Sequence, residues 1–172
     1  MPFGLTYAMF AGAIALGLLT HSPGESLRKR DAENGAWLFS LGKNDPQKRG
    51  VGINGLASIE FFSEQEWFGD FKPIWAASLD PDGGGFVSLA LRKDFYWGPV
   101  QISPYIGPAL HQRDLTKFDM DELFQFRTGI DVMYPLTDDV LLGIGFFHMS
   151  NSQNNDASSD VDVTRFSIVR RF

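Results

Sequence analysis

The sequence predicts an all-β chain, and more specifically an eight-stranded antiparallel transmembrane β-barrel. Three observations predict it. Aromatic residues are abundant, with Phe 16, Trp 4 and Tyr 4 making up 14% of the chain, and Gly reaches 18. Such a mixture favours strands and turns over helices. Eight apolar segments of about ten residues follow one another, separated by clusters of Gly, Pro, Asp and Asn, and that is the length a tilted strand needs to cross a bilayer. The later segments also alternate, large apolar residues on one parity and small or polar ones on the other, which is the period of a strand with two different faces.

Phe3 to Leu19 is an uncharged, mostly apolar run. It falls short of the roughly 20 residues of a spanning helix and suits the core of an export signal. Residues 1–24 are therefore expected to be a signal peptide, and residues 25–172 the barrel domain. Ser26 to Gly35 is charged and reads as a surface entry. The strands expected after it are Trp37–Gly42, Val51–Phe62, Phe71–Leu79, Phe86–Tyr96, Val100–Leu110, Leu123–Tyr134, Val140–Ser150 and Val161–Phe172. Asn44 to Gly50 is expected as a loop. Asp80-Pro81-Asp82-Gly83-Gly84-Gly85, Trp97-Gly98-Pro99 and Pro135 to Asp139 are expected as turns,. The Asp80 turn has some flavour of a calcium loop but lacks the downstream Glu.

Parity assigns faces. Val140, Leu142, Ile144, Phe146, His148 and Ser150 share one side of the seventh segment, and Asp162, Thr164, Phe166, Ile168 and Arg170 share one side of the eighth. These even positions suit a lipid-facing wall. Gly143, Gly145, Arg165 and Ser167 suit a narrow lumen, although Phe147 and Met149 must then fit inside. Trp67, Phe68, Tyr96, Trp97 and Tyr105 are expected as interfacial aromatics. A soluble carrier of an apolar ligand is the competing architecture.

Net charge is −6, which argues against a nucleic-acid surface, since phosphate backbones need a basic face. The chain has no Cys, so disulfides, thiol nucleophiles and Cys-ligated zinc are excluded. His21, His111 and His148 show no metal-ligand spacing, and neither a metal nor a cofactor is expected. Asp114, Asp119, Asp121 and Glu122 fall in one loop, expected on the inner side. Lys43, Lys48, Arg49, Arg92 and Lys93 are candidates for contact with lipid phosphates wherever they reach the outer rim.

His148 and Ser150 lie on one face of a strand, about 6.6 Å apart at their Cα atoms. A symmetric hairpin puts Asp162 opposite His148 and Asp160 opposite Ser150. Acid, His and Ser in that order supply an orienter, a base and a nucleophile. With both termini on the inner side, all three sit at the outer end, on the lipid-facing wall. A Ser hydrolase opening sideways into lipid would attack a lipid ester. Rim polar residues of a non-enzymatic structural or adhesive barrel explain the same spacing.

The last fifty residues resemble the PagL-type lipid A 3-O-deacylases of Gram-negative outer membranes. The match is carried by Phe146-Phe147-His148-Met149-Ser150-Asn151, by Asp162 fourteen residues after the His, and by the closing strand to Phe172. Phe124-Gln125-Phe126-Arg127-Thr128-Gly129 is similar to the family's Phe-x-x-Arg-x-Gly, and Ile102-Ser103-Pro104-Tyr105-Ile106 to another of its strands. The resemblance implies an outer-membrane enzyme that removes the 3-hydroxyacyl chain from the 3-position of lipid A in lipopolysaccharide, without a metal. It implies Ser150 as nucleophile, His148 as base and Asp162 as acid, with Asp160 as the alternative acid. It also implies Asn151 in oxyanion support and Phe124 in packing near the site. The family has Glu at Asp162, Asn at Ser158 and Gly at Gln153. A homodimer is left open.

Overall fold

A computed structural model describes residues 35–46, 54–67, 69–112, 123–150 and 161–172. The expected signal peptide, Asn151 and Asp160 lie outside the described residues. The strands are β1 (Ala36–Pro46), β2 (Asn54–Phe62), β3 (Lys72–Leu79), β4 (Gly85–Arg92), β5 (Phe95–Trp97), β6 (Val100–Gln112), β7 (Phe124–Pro135), β8 (Val140–Ser150) and β9 (Val161–Arg171). They form one antiparallel sheet in the order β4-β3-β2-β1-β9-β8-β7-β6-β5, closed by pairing of β4 with β6. β4 and β5 both pair β6 and make one stave, interrupted at Lys93 and Asp94. The result is a closed eight-stave barrel, as the sequence predicts.

Two strands outrun their expected ends by more than one residue. β1 continues to Pro46, into the stretch expected as a loop, because β9 offers it a ladder as far as Val161. β6 continues to Gln112, paired with Gly85. Backbone pairing ignores side-chain polarity, so a polar strand end reads as a loop in the sequence. The Asp80 turn is as expected: its Oδ1 accepts from the backbone N–H of Asp82 and Gly84, each at 2.9 Å, and Gly83 takes a positive φ of 86°.

One ladder can be followed right round the barrel. It runs Gln101, Met133, Gly143, Ser167, Ser40, Ser58, Ser78 and Phe86, and returns to β6 at His111, ten residues beyond its start. This stagger tilts the strands against the barrel axis. All the residues of the ladder point inward and are buried.

The outer wall is apolar. Trp37, Phe39, Leu41, Trp75, Leu142, Ile144, Phe166 and Ile168 are among its exposed large side chains. A continuous surface of this kind belongs in hydrocarbon rather than water. Trp37, Phe61, Trp75, Trp67 and Phe172 make ring contacts near the chain ends, as interfacial aromatics do. Trp67 and Trp97 face outward as expected, but Tyr96 and Tyr105 are buried, at 8% and 1% exposure. Tyr105 turns in because Gly129 leaves room: a Cβ there would lie 2.5 Å from the ring.

The lumen is filled by a charge network. Arg127 donates to Glu60 at 2.5 Å and to the Tyr105 hydroxyl at 3.1 Å. Arg165 donates to the same Glu60 and, at 2.7 Å, to Asp131. Phe147 lies beneath both guanidiniums, 4.4 Å from Arg127 and 5.5 Å from Arg165. A second cluster plugs the end that carries the termini, where Lys72 and Arg92 meet Glu64 and Asp94. Arg92 and Lys93, candidates for the outer rim, are thus buried at the opposite end.

Gly35 accepts from the Phe172 N–H at 3.1 Å, so both described ends of the chain share one end of the barrel. The turns after β2, β5 and β7 lie there too. The β6–β7 connection joins strand ends beside Ser150, since Leu110 pairs Phe124 and Phe126 pairs Ser150. It therefore emerges at the outer end, not the inner side expected for its acidic residues. The fifth stave runs outward by simple alternation. Asp114, Asp119, Asp121 and Glu122 themselves lie outside the described residues.

Glu60→Gln should destabilise the barrel by about 3–5 kcal/mol, because two buried guanidiniums lose their shared carboxylate. Arg170→Ala should change it by less than about 1 kcal/mol, because the Arg170–Asp139 pair at 3.4 Å is exposed,. Urea unfolding in lipid vesicles measures both.

Candidate functional site

β8 sends its odd residues inward and its even residues outward. Leu141, Gly143, Gly145, Phe147 and Met149 are buried, while Leu142 and Ile144 are exposed and Phe146, His148 and Ser150 half-buried. Phe147 is fully buried and meets Phe86 edge-on at 5.6 Å. Clamped between that ring and the two guanidiniums, it fixes the backbone on one side of His148. Met149, 2% exposed, fixes it on the other. His148 has only the outer face left to it.

The β8–β9 ladder sets His148 opposite Asp162. The His148 Nδ1 lies 2.8 Å from the Asp162 Oδ1, with side-chain exposures of 13% and 22%. An ionised carboxylate only accepts, so the Nδ1 carries a proton and donates it to Asp162. Ser150 follows on the same face, one strand repeat of about 6.6 Å further out at Cα. Acid, imidazole and hydroxyl therefore stand in sequence across two strands of the outer wall.

β7 closes the other flank. Thr128 is opposite His148, and Phe126 is opposite Ser150. Phe124 is half-exposed one repeat beyond and meets Phe126 edge-on, with centroids 5.4 Å apart. Phe126 and Thr128 are the direct neighbours that sequence spacing did not single out. The β7–β8 ladder is centred on Asp138, one residue past the middle of the Pro135–Asp139 turn, so a hairpin centred on that turn would have set Phe126 rather than Thr128 against His148. On β1, Asp45 is in register with Asp162, and Lys43 with Thr164. Lys43 is exposed on the outer wall.

Toward the terminal end of the barrel, the same wall exposes an apolar band that includes Phe39, Leu41, Leu142, Ile144, Phe166 and Ile168. Leu142 and Ile144 precede His148 on β8 by six and four residues, and Ile168 and Phe166 pair with them on β9. An acid–His–Ser row on such a wall has the residue types that acyl transfer to a serine requires. Among the described residues, no group of His, Asp and Glu is arranged to hold a metal.

Residues 34–165 match the family described as lipid A 3-O-deacylase (PagL). A crystal structure of the outer membrane enzyme PagL superposes with a TM-score of 0.53 at 13% identity, covering 80% of this chain and 99% of that one. Ail, the attachment invasion locus protein of Yersinia pestis, gives a TM-score of 0.55 at 10% identity, covering 83% and 100%. A de novo designed transmembrane β-barrel gives 0.52 at 9% identity, covering 84% and 100%. These likenesses show the fold alone. Comparison with curated protein sequences found no match.

Asp162→Asn should reverse the His148 tautomer, because an amide can donate to Nδ1. Nitrogen NMR of ¹⁵N-histidine-labelled protein should show the proton on Nδ1 in the wild type and on Nε2 in the variant. Identical imidazole signals in both would mean that the two side chains do not bond in the membrane-embedded protein.

Proposed function

The chain belongs to the lipid A 3-O-deacylase (PagL) family, and from that premise we propose that it hydrolyses the ester of the 3-hydroxyacyl chain at the 3-position of lipid A in a Gram-negative outer membrane. The observation that carries the proposal is the His148–Asp162 hydrogen bond of 2.8 Å on the lipid-facing wall, with Ser150 next on the same face. A hydrolase for a soluble ester has no use for a site there. A lipid ester reaches it by lateral diffusion.

In this mechanism Asp162 holds the His148 Nδ1–H and stabilises the imidazolium as it forms. The Nε2 takes the Ser150 hydroxyl proton as Oγ attacks the ester carbonyl. The tetrahedral oxyanion collapses, the bond to the sugar oxygen breaks, and His148 returns the proton to that oxygen. Water then attacks the acyl-Ser150 ester with His148 again as base, releasing the hydroxy acid and restoring Ser150. Asn151 is proposed to support the oxyanion, a contribution that is usually large. Phe124 and Phe126 border the nucleophile on one side, and the exposed apolar wall below it can receive the acyl chain. Asp162 is taken as the acid because its Oδ1 lies 2.8 Å from the His148 Nδ1.

Mass spectrometry of lipid A incubated with the purified protein tests the proposal. The wild type should release one hydroxyacyl chain. Ser150→Ala should lose at least about 10³-fold in rate, and Asp162→Asn should lose about 10³–10⁴-fold through the wrong tautomer. Asp160→Asn should stay within about threefold of wild type. A wild type that leaves every lipid A intact would instead support the non-enzymatic barrel.

A further inference from the structure

The outer wall of β1 reads Trp37, Phe39, Leu41, Lys43, every residue exposed. Three apolar side chains are followed by a cation. The other described lysines and arginines either line the lumen or sit at the end that carries the termini. Lys43 alone among them is a cation exposed on the outer half of the wall, where His148, Asp162 and Ser150 lie; Arg170, also exposed on that wall, is at the end that carries the termini.

Its height follows from the barrel stagger. Lys43 pairs Thr164, and Thr164 pairs Phe146. Counted along the strands, Lys43 thus lags His148 by one two-residue repeat. The ladders climb, however. A ladder leaving β6 at Gln101 and passing β7, β8, β9 and β1 comes back ten residues nearer the outer end, at His111. Each step to the next stave therefore gains slightly more than one residue of height. The two steps from β8 to β1 cancel the lag, and Lys43 stands level with His148.

Strand spacings place the Lys43 Cα about 12 Å from that of His148, across β9. The flexible four-carbon stem closes much of the gap toward the site. A glycolipid whose ester carbonyl sits at Ser150 would span the rest with its sugar ring. At this level of a bilayer the anions offered by such a lipid are the phosphates on its sugars, and an ammonium binds phosphate as a compact point charge.

We propose that Lys43 is a specificity-determining residue that binds a sugar phosphate of the glycolipid while Ser150 attacks its ester. The inference rests on the deacylase reading. The wall then carries two recognition elements, its apolar band for the chain and Lys43 for the headgroup.

The test compares kcat/KM of the full-length protein in vesicles on two substrates: bisphosphorylated lipid A free of core sugars, and the same lipid A with both phosphates removed. The wild type should prefer the phosphorylated form by about tenfold or more, the scale of one charge-assisted bond. Lys43→Ala should lower that preference about tenfold, mainly through KM. Lys43→Glu should abolish or invert it, and Lys43→Arg should retain it. Heat-modifiable gel mobility shows that each variant is folded. An unchanged preference in Lys43→Ala, or no preference in the wild type, overturns the inference, while Ser150-dependent release from either substrate keeps the deacylase reading. If the wild type cleaves neither substrate, both fall.

Discussion

Glu60 accepts from Arg127 and Arg165 at the centre of the lumen, and most of the architecture is arranged around that meeting. The contact ties β2 to β7 and to β9 across the lumen. Asp131 balances the second guanidinium, so two acids face two bases and no net charge is buried. Bare charges at this depth would be prohibitive, and satisfied ones hold the strands in register. The glycines follow from it. Gly145 is small because Asp131 and Arg165 occupy the place of its side chain, and Gly129 is small because Tyr105 lies over it. Phe147 fills what is left beneath the guanidiniums.

This interior determines what the exterior can do. A strand has two faces, and once Phe147 and Met149 are committed inward, His148 and Ser150 are committed outward. The site is therefore built on a rigid wall rather than on a mobile loop, and its imidazole is oriented by an acid on the neighbouring strand. Low polarity around the wall strengthens the His148–Asp162 hydrogen bond. The outer end still borders the headgroup region, so water can reach the second half of an acyl-transfer cycle.

The barrel was legible in the sequence because alternation is a local property. Gly143, Gly145 and Arg165 on one parity and Leu142, Ile144 and Phe166 on the other already separate lumen from wall. The facing of His148 and Asp162 was legible from hairpin symmetry. Three things were not. Tyr105 reads as an interfacial aromatic until the glycine opposite it is known. Arg92 and Lys93 read as surface charge, because Glu64 and Asp94, which meet Arg92, and Asp70, which meets Lys93, lie in connections between strands. Lys43 reads as one scattered cation among several, because its level depends on a stagger that only the closed sheet defines. All three are non-local: they require knowing which residues become neighbours after closure.

The acid position shows how a closed register can absorb a change of side chain. Asp162 is one methylene shorter than the Glu of the relatives that this chain resembles. On a strand slipped along the ladder, a shorter carboxylate would fall away from the ring. Here Asp162 lies directly across from His148, between adjacent strands about 4.8 Å apart, and the 2.8 Å contact is made at full strength without the extra reach. A longer carboxylate at the same register would have to fold back or approach the ring from further along the strand. The residue type and the register are therefore one constraint, and a shift of β9 against β8 would be felt first at the imidazole.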